Sequence, residues 1–143
     1  MPKIHTEVLV NKDKEKVWQE YTNPESIKNW AFASDDWECP KASNDLKVGG
    51  KFLTRMQSKD GNYGFDFTGT YREVENLEKI TYVMDKASSE EKSRGCEITF
   101  EDVGNDLTRV IVVFDSENEN PIEMQKNGWQ AILDNFKKYI ESL

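Results

Sequence analysis

The chain has 143 residues, with 27 acidic against 19 basic side chains and a net charge of −8 at neutral pH. That length supports one hydrophobic core. The basic residues are scattered among acids rather than gathered into the stripe that phosphate backbones require, so nucleic acid is not an expected partner. An acidic surface also repels anionic lipid headgroups. No window approaches the roughly 20 apolar residues that cross a bilayer, and MPKIHTEVLV has no apolar signal core. The reading is a single domain over residues 1–143, cytoplasmic, with no stable membrane association and existing as a monomer or weak dimer.

Two cysteines, Cys39 and Cys96, stand far apart without CxxC or metal-ligand spacing and read as reduced thiols. The sole histidine, His5, cannot by itself build a zinc or copper site. No metal and no cofactor are expected.

Along the chain, Ile4, Thr6, Val8 and Val10 alternate with His5, Glu7 and Leu9, the period-two pattern of a half-buried first strand. Val17, Trp18 and Tyr21 then sit at helical spacing. Asn23-Pro24 restarts the chain as cap and first helical residue of a second short helix, with Ile27, Trp30 and Ala31 on its apolar side. From Phe32 to Val48 the pattern dissolves into what reads as a loop holding Trp37, Cys39 and Pro40, ended by Gly49-Gly50. Long irregular loops in small domains are frequently lids, which makes Trp37 the natural cover residue.

Strands follow at 51–58 and 63–75 around the hairpin turn Lys59-Asp60-Gly61-Asn62. Residues 79–85 form another strand, the charged run Lys86 to Arg94 reads as an exposed hairpin tip, and 96–103 pairs with 107–115 around Gly104-Asn105-Asp106. The count is about six strands. The last element is a long helix, for which Asn120, Pro121 and Glu123 supply a capping box. Ile122, Trp129, Ile132, Leu133, Phe136, Ile140 and Leu143 form its one apolar face.

About six mainly antiparallel strands and one long amphipathic helix make a two-layer α+β domain, a curved sheet wrapped around the C-terminal helix with two short helices after the first strand. Such a sheet curls, and the groove it forms can hold a ligand. Alternation places Phe65, Phe67, Gly69 and Tyr71 on one side of their strand and Ile80, Tyr82 and Met84 on one side of the next. These face the helix residues Trp129, Leu133 and Phe136, with Trp30 and Phe32 near one mouth. The candidate ligand-binding set is therefore Trp30, Phe32, Trp37, Phe65, Phe67, Tyr71, Tyr82, Met84, Trp129, Leu133 and Phe136. Any one of these aromatic residues also has a plain packing role, since aromatic side chains bury large areas.

The segments VWQEYTNPESIKNW, DLKVGGKF, GTYREVENLEKITY, ITFEDVGNDLTRV and NGWQAILDNFKKYIESL, in this order and spacing, resemble the family of ATPase-activator homologues of the ninety-kilodalton heat-shock chaperone, within the START-like, or SRPBCC, superfamily. The resemblance covers nearly the whole chain and implies the helix-grip fold. Members of that superfamily include lipid-transfer domains, hormone- and allergen-type binding proteins, polyketide cyclases and co-chaperone modules. The eukaryotic co-chaperone has a separate N-terminal domain that engages its chaperone. This sequence shows none, so direct ATPase activation is not expected.

Three functional readings result, in order of preference. The first is binding of a small hydrophobic or lipid-like molecule in the groove, which calls for a cavity on the order of 300 Å³ or more. The second is a chaperone-associated interaction module in stress response, with a chaperone as partner. The third is a cyclase or hydrolase in which Tyr71 and Glu73, two apart on one strand, share a face and act as an acid/base pair. No GxSxG, Walker loop or HExxH spacing occurs. His5 shares its face with Glu7 and reads as solvent-exposed, and Cys39 has no local base to activate it. Catalytic residues are not assigned.

Overall fold

The computed structural model describes residues 2–86 and 93–143. Strand β1 (Lys3–Val10) buries Ile4, Thr6, Val8 and Val10 and exposes the residues between them, as its alternation dictates. Helix α1 (Lys14–Thr22) starts at Asp13, whose side chain accepts from the Lys16 N–H at 2.8 Å. Asn23 ends α1 and caps α2 (Pro24–Ile27), accepting from Glu25 N–H at 3.0 Å, with proline in the first turn where a missing N–H costs nothing. The second helix is a single turn, so Trp30 and Ala31 lie beyond it, both buried.

The stretch 32–48, expected as a loop, contains strand β2 (Trp37–Asn44). It pairs with β3 (Lys51–Ser58) through a register shift between Glu38 and Lys41, around Pro40. β2 is one of the two edge strands of the sheet, where proline can sit without breaking an interior ladder. The bulge destroys the alternation that would have announced the strand. The sheet therefore has seven strands rather than about six.

The remaining strands are β4 (Gly64–Glu75), β5 (Lys79–Met84), β6 (Gly95–Asp102) and β7 (Thr108–Asp115). All neighbours are antiparallel in the order β1-β7-β6-β5-β4-β3-β2. The chain thus crosses from β1 to the far edge by way of α1 and α2, then meanders back to β1. Most of the Lys86–Arg94 tip lies outside the described residues.

Helix α3 (Ile122–Glu141) lies against β1. Its start differs from the expected capping box: Pro121 is the cap residue and no side chain caps the helix. Instead the buried Gln125 folds back, accepting from Glu117 N–H at 2.9 Å and donating to the Asn120 carbonyl at 2.8 Å. Further along, Gln130 accepts from Glu7 N–H at 3.3 Å and donates to Glu7 C=O at 3.0 Å, while Lys137 donates to Leu9 C=O at 2.7 Å. These side chains occupy the outward-pointing backbone groups of β1, the strand at this edge of the sheet, and block its pairing with another chain. Leu133, Phe136 and Ile140 supply the helix side of the core to which Phe100, Val110 and Phe114 of the sheet also belong.

Phe136 is fully buried and meets Trp30 and Tyr21 edge-on, with ring centroids 4.9 and 5.1 Å away. Phe136→Ala is expected to lower stability by about 3–5 kcal/mol, read as a shift in the urea midpoint with the slope unchanged.

Candidate functional site

The sheet curls and α3 packs along β1, so the concave side of β3, β4 and β5 stands clear of the helix. The space between is a cavity of about 210 Å³. This is smaller than the volume expected from the sequence, yet larger than an apolar cavity of about 150 Å³ that admits benzene. Its walls come from every layer: Phe52, Thr54 and Met56 of β3, Phe65, Phe67 and Tyr71 of β4, Ile80 and Tyr82 of β5, and Trp129, Ile132 and Leu133 of α3. Tyr21, Thr22, Ile27, Trp30 and Ala31 close one end, and Ser43 and Asn44 reach in from β2. Among the described residues, no Asp, Glu, Lys, Arg or His lines it.

Of the residues singled out from the sequence, Trp30, Phe65, Phe67, Tyr71, Tyr82, Trp129 and Leu133 meet at this cavity. Four do not. Phe136 and Met84 are buried in the core outside the lining, and Phe32 packs against that core. Trp37, expected as a lid, is the first residue of β2, paired with Ser58, and its ring lies 6.3 Å from that of Phe65. The backbone ladder fixes it in the sheet, so it cannot serve as a loop-borne cover.

The Tyr71–Glu73 pair is not formed. β4 carries a bulge between these two residues: Tyr71 pairs with Tyr82 while Glu73 pairs with Thr81. The extra residue reverses the facing beyond it, so Val74 packs inward and Glu73 is exposed, 3.4 Å from Lys79 Nζ.

Sequence reasoning missed Phe52, Thr54 and Met56, although their spacing by two was legible as one face of β3. The sharper signal is Gly69, directly opposite Phe52 in the β3–β4 register. A Cβ at Gly69 would come within 2.7 Å of the Phe52 ring and of the Val83 carbonyl. Glycine here leaves room for Phe52 to lie across the strand, where its ring meets Tyr82 and Tyr71 at 4.7 and 5.4 Å. Trp129 is held by stacking on Phe114 at 3.8 Å and by an edge contact with Phe67 at 5.9 Å. Asn135 donates to the Trp30 carbonyl at 2.9 Å, tying the segment after α2 to α3.

Three phenols and one thiol gather in this apolar setting. Burial pushes Tyr21 and Tyr82 far above the ordinary phenol range, with Cys96 and the neighbouring phenols adding to the cost of a phenolate. Burial raises Tyr71 to about 12, the Asn44 amide beside it offsetting part of the rise. Cys96, paired with Tyr82 across the β5–β6 ladder, is pushed up to about 12, chiefly by burial. All four therefore stay protonated at neutral pH. Among the described residues no three His, Cys or carboxylate groups cluster to hold a metal, and no helix is long and apolar enough to cross a membrane.

A curled antiparallel sheet gripping a C-terminal helix across an apolar cavity defines the helix-grip class of START-like domains. Residues 12–141 match the family described as activator of Hsp90 ATPase homolog 1-like protein, and the chain belongs to it. It is similar to an AHSA1-like protein from Aeromonas hydrophila, with 38% identity, coverage of 99% of this chain and 93% of that one, and a TM-score of 0.88. A protein from Cytophaga hutchinsonii is 43% identical over 98% of this chain and 92% of its own, with a TM-score of 0.80. CalU16 from Micromonospora echinospora shares the fold at 19% identity, covering 96% and 75% of the two chains with a TM-score of 0.70. No curated protein matches the sequence.

Two outcomes follow from this geometry. Gly69→Ala is expected to cost about 1–3 kcal/mol by forcing Phe52 off its site, seen in thermal or urea unfolding. The buried phenols make the fold sensitive to alkali. Their folded pKa values lie above the unfolded value of 10.0, so their contribution is intact below pH 10 and is lost as pH rises toward and past the folded values. Unfolding free energy measured against pH is expected to fall from about pH 10 upward, and less steeply in Tyr21→Phe.

Proposed function

We propose that this domain binds a small apolar molecule in the cavity between β3–β5 and α3. The observation that carries this reading is the cavity itself: a partly open apolar space walled by both layers, without a charged side chain among the described lining residues. Close packing is the rule in protein interiors, and voids much larger than a water are few. Keeping one of this size leaves dispersion contacts unmade, and a bound apolar ligand would restore them. At about 210 Å³ the space suits a one- or two-ring molecule better than a full lipid chain. For a ligand of that size, affinity in the range of about 0.01–1 mM is expected.

Membership of a family named for an ATPase activator raises a protein partner as the other reading. Among the described residues, the exposed large apolar side chains are Leu9, Val48, Val103 and Leu143, singly placed along the chain, and the pairs Tyr63 with Phe65 and Ile122 with Met124. The cavity offers the more concentrated apolar surface.

Amide and indole N–H shifts, followed by NMR as toluene and then naphthalene are added, test the proposal. Saturable shifts at Phe67, Tyr82 and Trp129, absent at the β6–β7 turn and reduced at least about tenfold in affinity by the cavity-filling Ala31→Phe, are the expected result. Absence of saturable shifts, or shifts that Ala31→Phe leaves untouched, would refute it.

A further inference from the structure

The polar groups of the cavity narrow the class of ligand, an inference that rests on the binding reading above. Three lining tyrosines, Tyr21, Tyr71 and Tyr82, bring phenol hydroxyls to an otherwise apolar space. Of the other polar lining groups, Thr22, Ser43, Asn44 and Thr54, two are partly committed: Thr22 Oγ1 donates to the Trp18 carbonyl at 2.8 Å, and Asn44 Nδ2 donates to the Thr22 carbonyl at 2.7 Å. The Tyr71 oxygen has the Asn44 amide beside it as a donor, which leaves its own O–H to be given away, and the Tyr21 hydroxyl has no hydrogen-bond partner among the described residues. Nor, among the described residues, is any side-chain oxygen sealed in the interior without a partner. The two hydroxyls therefore open onto the cavity.

A phenol held in apolar surroundings loses free energy if its O–H meets no acceptor. A ligand seated between Phe52, Phe67 and Trp129, with an oxygen turned toward Tyr21 and Tyr71, would satisfy both donors. Charge on such a ligand is excluded by the rest of the wall. An anion would enter a low-dielectric space without a cationic partner, in a molecule of net charge −8, and a cation would find no carboxylate among the described lining residues. The aromatic lining presents ring faces and edges suited to a planar partner.

We infer that the cavity selects neutral, planar aromatic molecules carrying a hydrogen-bond acceptor of the carbonyl type, with Tyr21 and Tyr71 as the donors that orient it.

Three probes of equal heavy-atom count separate shape, acceptor and charge: acetophenone, cumene and benzoate, each titrated by NMR into the wild type, Tyr21→Phe and Tyr71→Phe. Acetophenone is expected to bind about 5- to 30-fold more tightly than cumene, and benzoate at least about 100-fold more weakly than acetophenone. Each phenylalanine variant should lose most of the acetophenone advantage while binding cumene as the wild type does, which also shows that the variant is folded. Equal binding of acetophenone and cumene, or a ratio that neither variant changes, would overturn the acceptor assignment while leaving cavity binding intact. Benzoate binding on a par with acetophenone would overturn the requirement for neutrality. Failure of all three probes to bind would instead sink the cavity-binding reading on which the inference stands.

Discussion

The seating of α3 along β1 is the contact on which the rest of the molecule depends. Gln130 and Lys137 fasten the helix to the backbone of the edge strand, and Leu133, Phe136 and Ile140 press into the sheet behind it. Backbone groups of an edge strand accept such partners readily because nothing else pairs with them. With the helix held at one edge, the curl of the sheet carries β3 and β4 away from it, and the unfilled interval is the cavity. A helix centred on the sheet would have packed that interval shut.

The second consequence concerns what can fill the interval. Three strands, helices α1 and α3 and the segment after α2 contribute aromatic rings, and several of those rings are braced: Phe52 on Tyr82, Phe67 on Trp129, Trp129 on Phe114. Gly69 is the position that lets Phe52 take this place. The walls are thus held from behind by core contacts, so a ligand would meet a surface already arranged, with less ordering cost on binding.

Chemistry in the cavity is constrained in the same manner. Catalysis by proton transfer works best with a group whose pKa lies near the operating pH. The phenols and the Cys96 thiol are all displaced upward by burial, and the one carboxylate suggested by strand spacing, Glu73, is turned outward by the bulge after Tyr71. What the lining offers at neutral pH is hydrogen-bond donation and shape.

The sequence by itself determined the helix-on-sheet architecture, because that follows from periodicities local to each segment: alternation in β1, β5 and β7, and the three- and four-residue steps of α3. It also placed Phe65, Phe67, Tyr71, Tyr82, Trp129 and Leu133 on the facing sides. Local pattern failed wherever register broke. The bulge at Pro40 hid β2, and the bulge after Tyr71 reversed the facing of Glu73 and Val74, since one inserted residue flips every side chain beyond it. The start of α3 was likewise settled by Gln125 reaching back to the preceding segment rather than by the cap residues the sequence offered. Only the tertiary structure decided which aromatic residues fill space and which border it. Phe136 and Trp129 lie on the same apolar face of one helix, yet one is sealed against Trp30 and Tyr21 while the other borders the cavity, because α1 and the segment after α2 fold over Phe136 alone and no local spacing encodes that long-range contact.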